Sequence, residues 1–233
     1  MNFSARLAML AAAALLGASG AGGGELDSAY VLQRYALALT RVVSPKVVVY
    51  SYTVSQVGPS NIEQRHRIYR SGTSVRDETL AVDGIALRHK AVRFSQREER
   101  YTVGRFAPSA SAYELLFLGT SKDGHHLDYV YEATPLHRGG SVSIDRLTID
   151  GANYLPRAVR FHSAGTGVAG DGEIEFASFG KYWLPVAASA SALIGTKLAR
   201  ERIVWGEYRF PESLPPSTFQ TPKPLPRPSL PAF

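Results

Sequence analysis

The chain has no cysteine, and only two methionines and two tryptophans among its 233 residues. The first absence excludes disulfides, thiolate metal sites, cysteine nucleophiles and lipidation of a cysteine. Any fold must therefore stand on its own core, which a chain of this length is able to bury. Long apolar runs are also scarce. Residues 7–16 form the one unbroken stretch, and a membrane-spanning helix needs about 20 such residues. A G-x-S-x-G serine elbow and an H-E-x-x-H pair are both missing, so two common routes to hydrolysis are not signalled. The six histidines are His66, His89, His125, His126, His137 and His162. Of these, His125 and His126 are neighbours that would point to opposite faces of a strand. No metal, no cofactor and no catalytic residue is expected. The aspartates Asp123, Asp145, Asp150 and Asp171 fall in or beside turns, where aspartate shapes the backbone before it acts as a base.

What is present begins with an address. Arg6, the apolar run and the small residues Gly17, Ala18, Ser19, Gly20 and Ala21 follow the pattern of a secretory signal. Residues 1–21 are read as that signal, 22–210 as one folded unit and 211–233 as a proline-rich flexible tail. Between 211 and 231 there are eight prolines, too little apolar bulk and too few free amides to build a core. The expected location is periplasmic or secreted, soluble after cleavage. The formal charge is +6. Much of the excess lies between Arg65 and Arg105, including Arg67, Arg70, Arg76, Arg88 and Arg93. A basic field suits an anionic membrane surface. Because these cations are spread over strands and turns, no nucleic-acid partner is expected.

The folded unit opens with a helix at 26–43, with Asp27 or Ser28 as cap and Val31, Tyr35, Ala38, Leu39 and Val42 on one side. Pro45 then forces extended backbone. Val48, Tyr50, Tyr52 and Val54 alternate with smaller or polar residues, as in a half-buried strand. Residues 113–118 read as a strand or as a short helix starting at Ser109. Leu127, Tyr129 and Tyr131 alternate again, and a hairpin turning at Asp150-Gly151-Ala152-Asn153 returns through Val159 and Phe161. Gly165, Gly167 and Gly170 spell G-x-G-x-x-G. The run 171–176 alternates like a strand, so no helix N-terminus is expected to meet a phosphate there. The total is about nine to eleven strands and one strong helix.

That count raises a covering problem. A helix of about 18 residues is about 27 Å long, whereas nine strands extend over roughly 40 Å. Either the sheet curls on itself or an apolar hollow remains.

Tyr113-Glu114-Leu115-Leu116-Phe117-Leu118-Gly119 leads to the Asp123-Gly124 turn and Tyr129-Val130-Tyr131. Leu147-Thr148-Ile149-Asp150 is followed by Tyr154-Leu155-Pro156, then by Phe176 and Tyr182-Trp183-Leu184-Pro185-Val186. Last come Tyr208-Arg209-Phe210, Leu214-Pro215 and Phe219. In these segments and their order the chain resembles the LolA-like superfamily of periplasmic outer-membrane lipoprotein-sorting and lipoprotein-binding proteins. The resemblance implies an incomplete antiparallel β half-barrel closed by an N-terminal α-helix, mainly β with helix packing. It also implies a cavity for lipid or lipoprotein acyl chains and a non-enzymatic binding or carrier role. Alternation assigns Tyr50, Tyr52, Leu127, Tyr129, Tyr131, Val159 and Phe161 to the ligand-facing side. Two other readings stand beside it: an envelope scaffold or interaction module with a packed core, and a hydrolase whose site is assembled from dispersed residues.

Overall fold

The computed structural model describes residues 27–220 apart from 125, 138–141, 166–167 and 195. The expected signal therefore lies outside the described residues, as does the tail from 221 onward. Among the described residues no helix is long and apolar enough to cross a membrane.

Eleven strands follow a first helix, α1 (Ser28–Leu39). They are β1 (Val47–Val57), β2 (Ile62–Ser71), β3 (Ser74–Val82), β4 (Ile85–Gln96), β5 (Tyr113–Asp123), β6 (His126–Pro135), β7 (Val142–Asp150), β8 (Pro156–Gly165), β9 (Val168–Phe179), β10 (Tyr182–Ile194) and β11 (Lys197–Arg209). All pairings are antiparallel, and the spatial order is β4-β3-β2-β1-β11-β10-β9-β8-β7-β6-β5. Two meanders, β1 to β4 and β5 to β11, thus meet where β1 pairs with β11. The outermost strands β4 and β5 do not pair with each other, so the sheet stays open. The expected fold class, mainly β with an unclosed sheet and an N-terminal helix, is what is observed.

Local chemistry accounts for the element ends. The Asp27 carboxylate accepts from the Ala29 amide at 2.9 Å, an N-cap. At the other end the Thr40 hydroxyl donates to the Leu37 carbonyl, and the helix stops at Leu39 instead of reaching residue 43. Residues 113–118 lie in a strand and not in a helix. Gly165 ends β8 and Val168 opens β9, so a strand and not a helix begins within the glycine motif and runs on through 171–176. On β9, Gly172 lies beneath the ring of Phe161, and a Cβ there would run into it. That close approach is the reason for a glycine within a strand.

The link between the meanders has to travel from one edge of the sheet to the other. Residues 97–112 reach about 55 Å when extended, and ten strand spacings measure roughly 48 Å if flat. The chain crosses as a chord over the inner face and carries a single turn, α2 (Val103–Phe106). Val103 is fully buried there. The hydroxyl of Tyr35 donates to the Pro108 carbonyl at 2.9 Å, tying α1 to the chord.

The inner face divides into two clusters. The larger joins Val31 and Tyr35 of α1 to Tyr129, Tyr131, Leu147, Ile149, Val159, Ile174 and Phe176, with Val103 from the chord. The smaller consists of Val48, Tyr50, Ile68, Val75 and Trp205, and no helix lies over it. On the outer face, residues 216–219 of the expected tail form a 3-10 turn, and Arg76 donates to the Thr218 carbonyl at 3.2 Å.

Candidate functional site

A cavity of about 440 Å³ lies between these clusters, where α1 ends and the chord crosses. Its apolar walls come from four places: Leu39 at the end of α1 with Val42 just after it, Val48 and Tyr50 on β1, Val103 on the chord, and Trp183, Trp205 and Tyr208 on β10 and β11. The β10–β11 wall depends on two irregularities. The β1–β11 register shifts between Val49 and Ser51, beside Glu207 with φ 56°. This bulge turns Trp205 and Tyr208, three residues apart, to the same face. A second shift follows Pro185, and a proline in mid-strand is tolerated at such a point. The Pro185 carbonyl accepts from the Tyr208 hydroxyl at 2.7 Å, and the Pro156 carbonyl accepts from the Trp183 indole at 2.7 Å. Both aromatic rings are therefore fixed in the wall.

One corner of the cavity is polar. Arg70 of β2 sits opposite Val48 and is only 6% exposed. Its Nη2 pairs with Glu99 of the chord at 3.2 Å, and its Nη1 donates to the Arg97 carbonyl at 2.7 Å. The Tyr50 hydroxyl donates to the same Glu99 oxygen, Oε2, at 3.1 Å. Arg70 Nε is buried and has no hydrogen-bond partner among the described residues. A buried donor without a partner is costly, and a ligand acceptor would satisfy it. Burial pushes the Tyr50 phenol well above its ordinary value, with the Glu99 charge adding to the effect. Tyr208 is displaced in the same direction, again chiefly by burial.

The seven residues assigned by alternation all belong to strands that present them to the inner face, but they end up in different surroundings. Only Tyr50 lines the cavity. Tyr129, Tyr131 and Val159 are packed beneath α1, and the Tyr131 hydroxyl donates to the Ser28 carbonyl at 3.0 Å. Leu127 and Phe161 pack against the same core. Tyr52 stacks on His66 with ring centres 4.7 Å apart, and His66 Nδ1 lies 2.8 Å from Asp77. The cavity residues that alternation missed are Arg70, Glu99, Tyr101, Val103, Trp183, Trp205 and Tyr208. The strand register would have found Arg70, and the bulge explains why a simple period misses Tyr208.

Among the described residues no group of three or more His, Asp or Glu side chains is placed to hold a metal. Within the 65–105 stretch, Arg65, Arg67, Arg70, Arg76 and Lys90 stand in ion pairs. Arg65 and Arg67 share Glu207, while Arg76 and Lys90 share the buried Glu78.

No family model matches the chain, and no curated protein matches it. Among solved structures it is similar to a LolA superfamily protein from Nitrosomonas europaea. That match has 12% identity and a TM-score of 0.43, covering 83% of this chain and 97% of the other. A domain from Vibrio parahaemolyticus, named for outer-membrane lipoprotein sorting, matches at 15% identity and TM-score 0.43, over 83% of this chain and 97% of that one. A DUF1329 family protein from Desulfovibrio piger matches at 11% identity and TM-score 0.43, over 82% and 97%. The family that the sequence resembles is thus met again among the structural neighbours.

Proposed function

We propose that the chain binds a lipid or the acyl chains of a lipoprotein in the cavity between α1, the chord and the β1–β11–β10 wall, without catalysing a reaction. The observation that supports this most directly is the combination of apolar walls with one buried, incompletely bonded guanidinium. A volume of about 440 Å³ falls within the roughly 300–1,000 Å³ typical of small-molecule sites. Aliphatic carbons buried there contribute about 0.8 kcal/mol per methylene before association costs. Arg70 then selects the end of the molecule that offers an acceptor, an ester carbonyl or a phosphate oxygen. The ligand class itself comes from the sequence resemblance. With it goes the expectation of a periplasmic or secreted protein released from residues 1–21.

The test is native mass spectrometry of protein purified without detergent. A population heavier than the polypeptide, whose excess mass disappears into an organic extract as lipid, is the expected result. Only the polypeptide mass, with no lipid in the extract and no uptake when acyl chains are added, would leave the packed-scaffold reading in its place.

A further inference from the structure

A second hollow, of about 200 Å³, adjoins the cavity between α1, the β7–β8 turn at 153–155 and the β9–β10 turn. Val42 and Trp183 contribute to the walls of both. Three cations converge on this hollow from separate parts of the chain: Arg34 and Arg41, on α1 and just after it, and Lys181 from the β9–β10 turn. No carboxylate lines it. Among the described residues none of the three makes an ion pair, unlike Arg65, Arg67, Arg70 and Arg76. Instead, Arg34 lies 5.2 Å from the ring centre of Tyr154 and 6.0 Å from that of Tyr30. Lys181 lies 5.4 Å from Tyr182. Apolar side chains stand exposed in the same place, Leu37 at 43% and Val43 at 49%.

Unpaired cations flanked by tyrosines, with exposed aliphatic side chains between them, combine the two attractions of a bilayer surface. The cations meet anionic headgroups, and the aliphatic groups enter the boundary beneath. A soluble anion would use the charges but would leave Leu37 and Val43 in water. We infer that this face docks on an anionic phospholipid surface, presenting the side of the molecule next to the cavity to the membrane. The inference goes beyond the carrier reading and does not require it, since the cations act whether or not the cavity is filled.

Cosedimentation tests it, with vesicles of phosphatidylglycerol and phosphatidylcholine in equal parts against vesicles of phosphatidylcholine alone. The chain is expected to bind the first and not the second, and salt should release it. Each neutralised cation costs about fivefold in affinity, so Arg34→Gln, Arg41→Gln and Lys181→Gln together should weaken binding about a hundredfold. A control removes the same charge elsewhere with Arg146→Gln, Lys197→Gln and Arg202→Gln, all exposed. It should retain most of the binding. Equal loss in the control, undiminished binding by the first triple variant, or equal affinity for both vesicles would overturn the inference. So would capture by soluble polyglutamate without capture by vesicles, which would indicate an acidic polypeptide. Circular dichroism verifies that both triple variants are folded. Uptake of a brominated fatty acid, read by tryptophan quenching, reports on the cavity separately. Vesicle loss with retained uptake is the expected pattern for the first triple variant, and a failure of uptake in the parent would count against the carrier reading alone.

Discussion

The two halves of the inner face carry the same kind of pattern under different cover. Along β6 to β9, large apolar side chains lie beneath α1 and are almost wholly sequestered, with Tyr131, Leu147, Ile149, Val159 and Ile174 at 0% exposure. Across β1, β2 and β11 the equivalent positions hold Val48, Tyr50, Ile68 and Trp205, but only the irregular chord passes over them. Both halves bury their large side chains, but the half without a helix overhead gives Val48, Tyr50 and Trp205 to the wall of the cavity. The difference teaches that alternation decides which face a side chain takes, while the covering segment decides what that face becomes. A 12-residue helix is about 18 Å long, enough for about four strands, and the remainder of the sheet is left for the chord and a guest.

The largest effect expected from disturbing this arrangement comes from alkali, which acts on both halves together. Burial raises the phenols of Tyr35, Tyr50 and Tyr208, and takes Tyr131 up to about 12 from 10.0. These groups stay protonated in the folded chain while the unfolded chain ionises above about pH 10. Their contribution is therefore complete below that pH and is lost as pH rises through the folded values. Tyrosinate absorbance should appear together with loss of far-ultraviolet structure. Ionisation of all twelve tyrosines near pH 10 with the fold intact would contradict it.

Truncations separate the halves. Leu147→Ala in the α1-covered half should cost about 3 kcal/mol in denaturant-derived stability. Val48→Ala, beside existing empty volume, should cost about 1 kcal/mol, because part of its surroundings is already unfilled. Equal costs would mean that the two halves are packed alike. Between these in size is Arg70→Met, which leaves Glu99 without its cation and should lower stability by about 2 kcal/mol. Adding Glu99→Gln should recover part of that loss, measured as the coupling in a double-mutant cycle. The smallest effect belongs to the outer face. Arg160 and Asp145 pair at 2.8 Å with both side chains about two-fifths exposed, and Arg160→Ala should change stability by less than about 1 kcal/mol.

Much of the fold was readable in advance. The turn residues at 123–124 and 150–153, the period-two segments and the capped first helix marked the strands, two of their hairpins and the fold class, whereas the pairing of β1 with β11 is visible only in the structure. The inward direction of Tyr129, Tyr131 and Val159 was equally legible. Their burial under α1 was not, because periodicity holds no information about which distant segment lies overhead. Residues 97–112 posed the opposite difficulty. An irregular chord has no period, yet it supplies Glu99, Tyr101 and Val103 to the cavity. Arg70 was hidden among the other cations of its stretch. Its inward position follows only from the β1–β2 register, which sets it opposite Val48. The unpaired cations beside the cavity stand at 34, 41 and 181, too far apart in sequence to be seen as a patch.

The chain's two tryptophans, Trp183 and Trp205, both line the cavity, so intrinsic emission reports on its contents without any label. Titration with a fatty acid brominated along its chain is predicted to quench that emission saturably, at a stoichiometry near one per polypeptide, with unbrominated acid competing. Emission that stays unchanged to saturating acid, in protein first stripped of lipid and verified as folded, would contradict the claim that uncovered apolar sheet receives an acyl chain.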